Sequence, residues 1–210
     1  MYNITNVGSH NNQLNEAEYV EYLSDTANWA HESHIQHLST AVDAAKQADK
    51  LTDTVEFWQW MQRNYDKSGI FDSPQAMQEY MSHGAGKVEW MKKQLQGKGY
   101  EWDWIQNQRN NIKNLFNRFD AGDVANRTAS DVTKTNLLNG KTTEYQMKAY
   151  TSKTNPDLHN TPKDITVVTN SEKVEIVKGN GYDHVESFQD TNSINKQVDK
   201  RMKQIENRQA

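Results

Sequence analysis

The sequence predicts an α+β protein in which an N-terminal helical domain, residues 1–98, is followed by a small α/β domain, residues 99–210. Two observations support this division. Through most of the first half, apolar residues recur every three or four positions, as they do in amphipathic helices. Beyond Gly122, short β-branched runs and the hairpin signal Asn139-Gly140 replace that pattern. The chain therefore starts with helices and continues with strands.

The composition indicates ordered cores under a polar surface. Hydrophobic residues make up only 34% of the chain, but six Trp, nine Tyr and five Phe supply large apolar side chains. The absence of cysteine excludes disulfides and thiolate metal sites. Met1 to His10 has neither basic residues nor a long apolar run, which predicts no signal peptide and no membrane anchor. We therefore expect a cytoplasmic protein, or one delivered by a route that leaves no Sec signal.

The charge is distributed unevenly along the chain. Residues 1–99 carry 8 Lys and Arg against 13 Asp and Glu, whereas residues 100–210 carry 16 against 15. A phosphate-bearing partner would meet less repulsion at the second half. Neither half is basic enough to indicate nucleic-acid binding by charge alone.

Periodicity and capping signals predict five helices up to residue 119. Two tryptophan pairs, Trp58/Trp60 and Trp102/Trp104, are spaced two apart, which turns the members of a pair about 200° from each other on a helix. One member of each pair is therefore expected to be exposed or to be covered by the other half. The first predicted stretch, from Asn15 to about Lys50, is one long helix or a broken pair. The others run from Thr52 or Asp53 through Met61, from Ser73-Pro74 through Met81, from Val88 to Leu95 and from about Trp102 to Phe119.

The second half reads as strands followed by helices. Val132 to Leu138 and Thr142 to Tyr150 are predicted to form a hairpin about Asn139-Gly140. Asp164 to Thr169 has the apolar character of a buried strand. Ser171 caps a predicted short helix, and a polar helix with a narrow apolar stripe covers Asp190 to Arg208.

Alternation along the second hairpin strand creates a row of polar side chains. Glu144, Gln146 and Lys148 share one face, while Tyr145 and its apolar neighbours share the other. Pairing about the turn brings Asp131 within a residue or two of this row. An acid, an amide and an amine are thus expected to meet on one face of the sheet.

The order of these features resembles the PD-(D/E)xK nuclease superfamily, and in particular its Mrr-type restriction endonuclease domain. The similarity is carried by an Asp-bearing strand, a hairpin turn, the run Tyr145-Gln146-Met147-Lys148-Ala149-Tyr150, and a buried strand followed by a helix. It covers about residues 100–190. The implied fold is a small α/β restriction-endonuclease-like domain.

The resemblance also implies a catalytic site with a divalent metal, Mg²⁺ or Mn²⁺. By position, Asp131 and the Gln146 carbonyl would be metal ligands, and Lys148 would orient the attacking water. Glu144 could supply a second carboxylate that Gln146 lacks. The family's further acid, on its first helix, has three candidates in this chain, which are Glu101, Asp120 and Asp123.

The implied function is metal-dependent cleavage of DNA, or less readily RNA, in a setting such as phage, mobile-element or inter-bacterial conflict. The helical half would select the substrate, dock a partner or inhibit the nuclease-like half. The alternative is a non-catalytic helical adaptor whose degenerate nuclease-like domain binds nucleic acid or a protein, with the helical domain or the C-terminal helix as the docking element. A third reading is a structural or injected phage protein. No membrane partner is expected.

Overall fold

The structure is a computed structural model that describes residues 16–65, 67–121, 130–150 and 154–210. It divides into two compact units, Met1–Asp53 and Thr54–Ala210. The predicted mixture of helices and strands is confirmed. The elements are the helices α1 (Glu16–Asn64), α2 (Pro74–Ser82), α3 (Ala85–Arg109), α4 (Val174–Gly179) and α5 (Thr191–Glu206), and the strands β1 (Asn117–Ala121), β2 (Val132–Asn136), β3 (Thr142–Lys148), β4 (Thr166–Thr169) and β5 (Val185–Ser187).

The predicted break between the first two helices is wrong, since α1 continues without interruption from Glu16 to Asn64. Thr52 and Asp53 have good capping side chains, but the helical pattern runs on through them. In the first unit, Ile35, Leu38 and Val42 are about half exposed. This part of α1 therefore presents apolar side chains that the described part of its own unit does not bury.

The second unit contains a five-stranded mixed sheet in the order β1-β2-β3-β4-β5. Strands β1, β2 and β3 form an antiparallel meander, and β4 and β5 extend it in parallel with β3. The hairpin prediction is confirmed, with Val132 opposite Tyr145. Its loop spans residues 137–141, and Gly140 adopts the positive φ of 70° that favours glycine.

Helix α3 lies between two cores, and this explains the spacing of its tryptophans. Trp102 belongs to the core that Trp60, Met91 and Met202 help to form. Trp104 instead packs against the sheet, with its ring 4.8 Å from that of Tyr145. Both are buried, as are Trp58 and Trp60, so every member of the two pairs is covered.

The helix predicted to reach Phe119 ends ten residues earlier, at Arg109. A short 3-10 turn follows, and then β1, in which Phe119 is buried against the sheet core. The spacing of the apolar residues from Ile112 to Phe119 imitates a helix, but the strand pairing of β1 with β2 decides the local structure. The prediction over residues 110–119 is therefore wrong.

The helix predicted to end at Leu95 instead continues through Gly97 and Gly99, since both lie inside α3. Gly99 instead makes room for Arg201 of α5: a Cβ at position 99 would lie 2.5 Å from the Arg201 Nη1 atom. The Arg201 guanidinium donates hydrogen bonds to both carboxylate oxygens of Asp103 and lies 4.0 Å from the Phe57 ring centroid. Close approach thus accounts for glycine at this helical position.

The apolar stripe of the C-terminal helix is used inside the fold. Asp190 caps α5 by accepting a hydrogen bond from the Ser193 N–H group. Ile194, Val198, Met202 and Ile205 are all buried. The stripe therefore belongs to the cores of the second unit. None of the described helices has the length and apolarity needed to cross a membrane.

The predicted domain boundary near residue 98 falls inside α3, whereas the two compact units meet between Asp53 and Thr54. Helix α2 and the end of α1 share a core with α5, which comes from the other end of the chain. The second unit therefore contains about half of the residues assigned to the helical domain. Its sheet and its helices are parts of one compact body.

Gly99→Ala and Gly97→Ala form a matched test of this packing. At position 97 an added Cβ meets nothing within 4 Å, so alanine should stabilise the helix by up to about 1 kcal/mol. At position 99 the same gain is outweighed by displacement of the buried Arg201–Asp103 pair, and we expect a net loss of about 1–2 kcal/mol. Urea unfolding of both variants measures the difference. Equal stabilisation by both substitutions would contradict the proposed role of Gly99.

Candidate functional site

Asp131 sits at the point where the β2–β3 ladder ends. Its backbone N–H donates to the Tyr145 carbonyl at 2.9 Å. Its side chain accepts hydrogen bonds from the Met147 N–H group at 2.7 Å and from the Gln146 Nε2 atom. The carboxylate thus takes the place of the backbone carbonyl that a longer β2 would offer to Met147.

Gln146 and Lys148 lie where strand alternation predicted them. Tyr145 and Met147 face the core formed with α3, whereas Gln146 is buried against Asp131. Lys148 is half buried and lies close enough to lower the pKa of the Asp131 carboxyl. Asp131 and two members of the predicted row, Gln146 and Lys148, therefore lie in one neighbourhood.

Glu101 of α3 adds a second carboxylate to this neighbourhood. Its side chain is deeply buried, with 2% of the residue exposed. Its Oε2 atom accepts a hydrogen bond from Lys98 at 2.7 Å, whereas its Oε1 atom has no hydrogen-bond partner within the described parts of the chain. Of the two candidates for the first-helix acid that the structure describes, Glu101 and Asp120, Glu101 lies in the electrostatic field of Asp131.

Burial is the main cause of the raised pKa values of the Glu101 and Asp131 carboxyls. The pKa of Glu101 is raised to about 7: burial is the largest cause, Lys98 opposes it, and the negative charge of Asp131 adds to the increase. Burial also raises the pKa of Asp131, while the Met147 N–H bond and then Lys98 and Lys148 lower it. Two acids and two lysines therefore share one poorly solvated region. We call Glu101, Asp131 and Gln146, together with Lys98 and Lys148, the Asp131 cluster.

The other predicted acids lie elsewhere or outside the description. Glu144 is exposed and stands opposite Thr133 in the ladder, and none of the described hydrogen bonds or ion pairs joins it to Asp131. Asp120, in β1, forms a two-oxygen hydrogen-bonded pair with Arg118. Asp123 lies outside the described residues.

The described residues hold no group of three or more His, Cys, Asp or Glu side chains arranged for a metal ion. The cluster itself offers two carboxylates and one amide. Gln146 uses its Nε2 atom to bond Asp131, and the remaining oxygen of this amide is the atom type that a hard cation prefers. Any metal at the cluster would therefore depend on Glu101, Asp131 and the Gln146 carbonyl together.

A loop that follows β3 borders the cluster on the Lys148 side. The Tyr150 hydroxyl accepts a hydrogen bond from the Asp157 N–H at 2.9 Å and donates one to the Asp157 carbonyl. The Asp157 carboxylate contacts the His159 Nδ1 atom at 2.9 Å. Hydrogen bonds from His159 are the first cause of the lowered pKa of Asp157, and Lys148 contributes through its charge. The exposed imidazole of His159 is thus held by Asp157, whose carboxylate is within electrostatic range of Lys148.

Sequence reasoning missed Lys98 and His159 and left Glu101 as one of three possibilities. A signal for Lys98 exists, because Lys98 and Glu101 are three apart in a helix and such pairs contact each other. Nothing local in the sequence links His159 to Lys148.

A separate cleft of about 270 Å³ opens beside β1. Charged side chains from α1, α3 and β1 line it, among them Glu56, Arg63, Arg109 and Asp120. No member of the Asp131 cluster contributes to its wall. The cleft and the cluster are therefore different places in the second unit.

Comparison with known proteins returned no match to a family model, to a curated protein or to a solved structure.

Glu101→Gln tests the burial of this carboxyl through the pH dependence of stability. Because the folded pKa of about 7 exceeds the ordinary value of 4.5, the native state keeps a proton that the unfolded state loses between these values. Stability should therefore fall as pH rises through this window, by up to about 3 kcal/mol. Glutamine cannot ionise, so the variant should lose less stability from pH 4.5 to 7. Urea unfolding across that range, with the exposed Glu175→Gln as control, gives the slopes. Identical slopes for wild type and Glu101→Gln would refute the assignment.

Proposed function

We propose that the second unit is a metal-dependent nuclease that hydrolyses phosphodiester bonds, with DNA as the first substrate to test and RNA as the second. The observation that carries the proposal is the Asp131–Gln146 hydrogen bond beside a buried Glu101 whose Oε1 atom lacks a partner among the described residues. Lys148 follows Gln146 by two residues on the same strand. This combination agrees with the resemblance to the PD-(D/E)xK superfamily.

The order of elements supports the same proposal. A helix bearing Glu101 precedes three antiparallel strands, Asp131 comes directly before the second of them, and Gln146 and Lys148 lie on the third. A parallel strand and a short helix follow. The resemblance implies a similar succession for a restriction-endonuclease-like domain.

The residues of the cluster fit Mg²⁺ or Mn²⁺. Hard divalent cations take oxygen ligands, and two carboxylates with an amide carbonyl provide them. A buried carboxylate oxygen that has no hydrogen-bond partner among the described residues, such as Glu101 Oε1, is costly, and a cation relieves that cost. Such an ion, when bound, stabilises charge on phosphate oxygens and acidifies a bound water.

The side chains of the chain have separable roles in this proposal. Asp131 is held by the Met147 N–H, so its remaining oxygen keeps a fixed direction relative to the sheet. Lys98 stabilises the ionised form of Glu101. Lys148 supplies a positive charge next to Asp131, where it orients an attacking water and attracts the phosphate.

A non-catalytic nucleic-acid-binding or protein-binding adaptor is the second candidate. It is favoured by the amide at position 146, since the cluster then has only two carboxylates, and by the acidic balance of residues 1–99. Metal-dependent cleavage of nucleic acid distinguishes the two candidates, because an adaptor binds its partner without cutting it.

Asp131→Asn and Lys148→Ala should each lower metal-dependent cleavage at least a hundredfold, because each removes a charge from the reacting site. The assay follows plasmid DNA, single-stranded DNA and structured RNA with Mg²⁺, Mn²⁺ or EDTA. Asp183→Asn and Lys196→Ala, which change exposed residues outside the cluster, should retain wild-type rates. Cleavage that survives in Asp131→Asn, or an absence of cleavage in the wild type with every substrate and metal, would reject the nuclease proposal.

A second pair of variants decides which carboxylate serves the site. Glu101→Gln should lose at least a hundredfold in rate, since it removes one of the two buried acids, whereas the exposed Glu144→Gln should stay within about threefold of wild type. Rates with Mg²⁺ at pH 8, where Glu101 is ionised, provide the comparison. The opposite order of rates would transfer the role to Glu144.

A further inference from the structure

Two loops at one end of the sheet display large apolar side chains to solvent. The exposed fractions range from 53% for Phe116 to 85% for Ile112. Contiguous apolar patches on a protein surface commonly mark binding sites. We call this patch the hairpin-end surface. It consists of Ile112, Leu115 and Phe116, which precede β1, and Leu137 and Leu138, which follow β2.

Hydrogen bonds hold the two loops of this surface together. The Leu137 N–H donates to the Phe116 carbonyl at 2.8 Å. Asn136 donates from Nδ2 to the Asn117 Oδ1 atom, and Asn117 donates in turn to Asn114. The apolar side chains are therefore presented on a braced platform, so their exposure is a property of the fold.

The hairpin-end surface is flanked by positive charge. Segments 110–117 and 136–141 contain Lys113 and Lys141 and no Asp or Glu. Neither lysine forms an ion pair with any residue in the described ranges. The nearest acid along β3 is Glu144, three residues beyond Lys141 towards the Asp131 cluster. The surface thus suits a partner that combines negative charge with flat apolar faces.

We propose that the hairpin-end surface binds nucleic acid as a second contact, separate from the Asp131 cluster. Leu137, Leu138 and Phe116 pack against or between bases, as apolar wedges and aromatic platforms do in other nucleic-acid complexes. Lys113 and Lys141 contact the flanking phosphates. The link to cleavage rests on the proposed nuclease function, but the binding itself does not.

A second copy of the chain fits this surface less well. A two-fold interface places the same patch of both copies face to face, which would bring Lys113 and Lys141 of one copy close to those of the other without an intervening acid in these segments. Nucleic acid instead supplies phosphates to these lysines. Charge complementarity therefore favours nucleic acid.

The distance between the two contacts sets the length of substrate that can use both. Leu137 follows Asp131 by six positions along the chain that contains β2, which corresponds to roughly 20 Å of extended strand. At about 3.4 Å per nucleotide along a duplex, this equals about six nucleotides. An oligonucleotide shorter than this reaches the Asp131 cluster alone.

Binding is measured on the full chain carrying Asp131→Asn, with fluorescein-labelled 20-nucleotide DNA, single-stranded and duplex, and with an RNA hairpin of similar length. Adding Leu137→Ala with Leu138→Ala should weaken binding about tenfold. Adding Lys113→Glu with Lys141→Glu should weaken binding at least tenfold. The plot of log K against log salt should become less steep, its slope falling in magnitude by about 1.4 to 2. Ile176→Ala and Lys93→Glu, at exposed positions on other elements, serve as controls that bind like the parent. Thermal melting confirms that each variant is folded.

Unchanged binding in both double variants overturns the inference, and so does an absence of binding by the parent to all three probes. Binding to vesicles that contain phosphatidylserine tests a lipid surface as the occupant. Sedimentation velocity tests a second copy of the chain. Vesicle binding or self-association that the leucine substitutions abolish, without nucleic-acid binding, also overturns it.

Cleavage assays separate failure of this inference from failure of the nuclease proposal. With an active Asp131, the double variants should cut a 20-nucleotide substrate about tenfold more slowly than wild type but cut a trinucleotide at the same rate. Equal rates on both lengths reject the second contact and leave the nuclease proposal standing. Weakened binding in the double variants, with no cleavage by any protein, rejects the nuclease proposal and retains the second contact.

Discussion

The carboxylate of Asp131 completes the β2–β3 ladder at the place where the two strands stop pairing. Met147 needs an acceptor there, and Asp131 supplies it from a side chain while its own N–H stays bonded to Tyr145. The acid is thereby fixed to the sheet by a backbone contact. Gln146 then bonds the same oxygen and is fixed by it. The geometry of the candidate site follows because a side-chain carboxylate, rather than a main-chain carbonyl, accepts the hydrogen bond of the Met147 N–H group.

The second acid depends on the packing of α3. Trp102 and Trp104 enter different cores, so the rotation of the helix about its axis is fixed from both sides. Arg201 crosses the same helix at Gly99, where only a glycine leaves space. Glu101 lies between these anchors and is held in a buried position that an isolated carboxyl would avoid. Its pKa of about 7 expresses the cost of that position.

Local sequence patterns predict the parts of this arrangement that depend on the alternation of side chains along a strand or on the residues of the hairpin turn. The hairpin, the buried Tyr145 and the polar Gln146 and Lys148 all follow from alternation. Phe119 was assigned to a helix because its spacing from Leu115 also fits one, and pairing with β2 overrides that local preference. Glu101 could not be chosen from its alternatives by sequence, since its burial depends on two cores that unite distant segments.

The proton and a divalent cation would compete for the same buried oxygens. Near neutral pH, Glu101 is close to half protonated, because its pKa is about 7, and a cation binding there must displace the proton. Lys98 is already ion-paired with Glu101, so a divalent cation would bind against partial repulsion from this lysine. Such an ion would be stabilised most when both carboxyls are ionised. The hairpin-end surface and Asp131 lie at opposite ends of β2, because Leu137 follows this strand and Asp131 precedes it. A nucleic acid held at that surface would therefore be positioned relative to the cluster by strand length, and its phosphates would bring the negative charge that makes cation binding at the cluster more favourable.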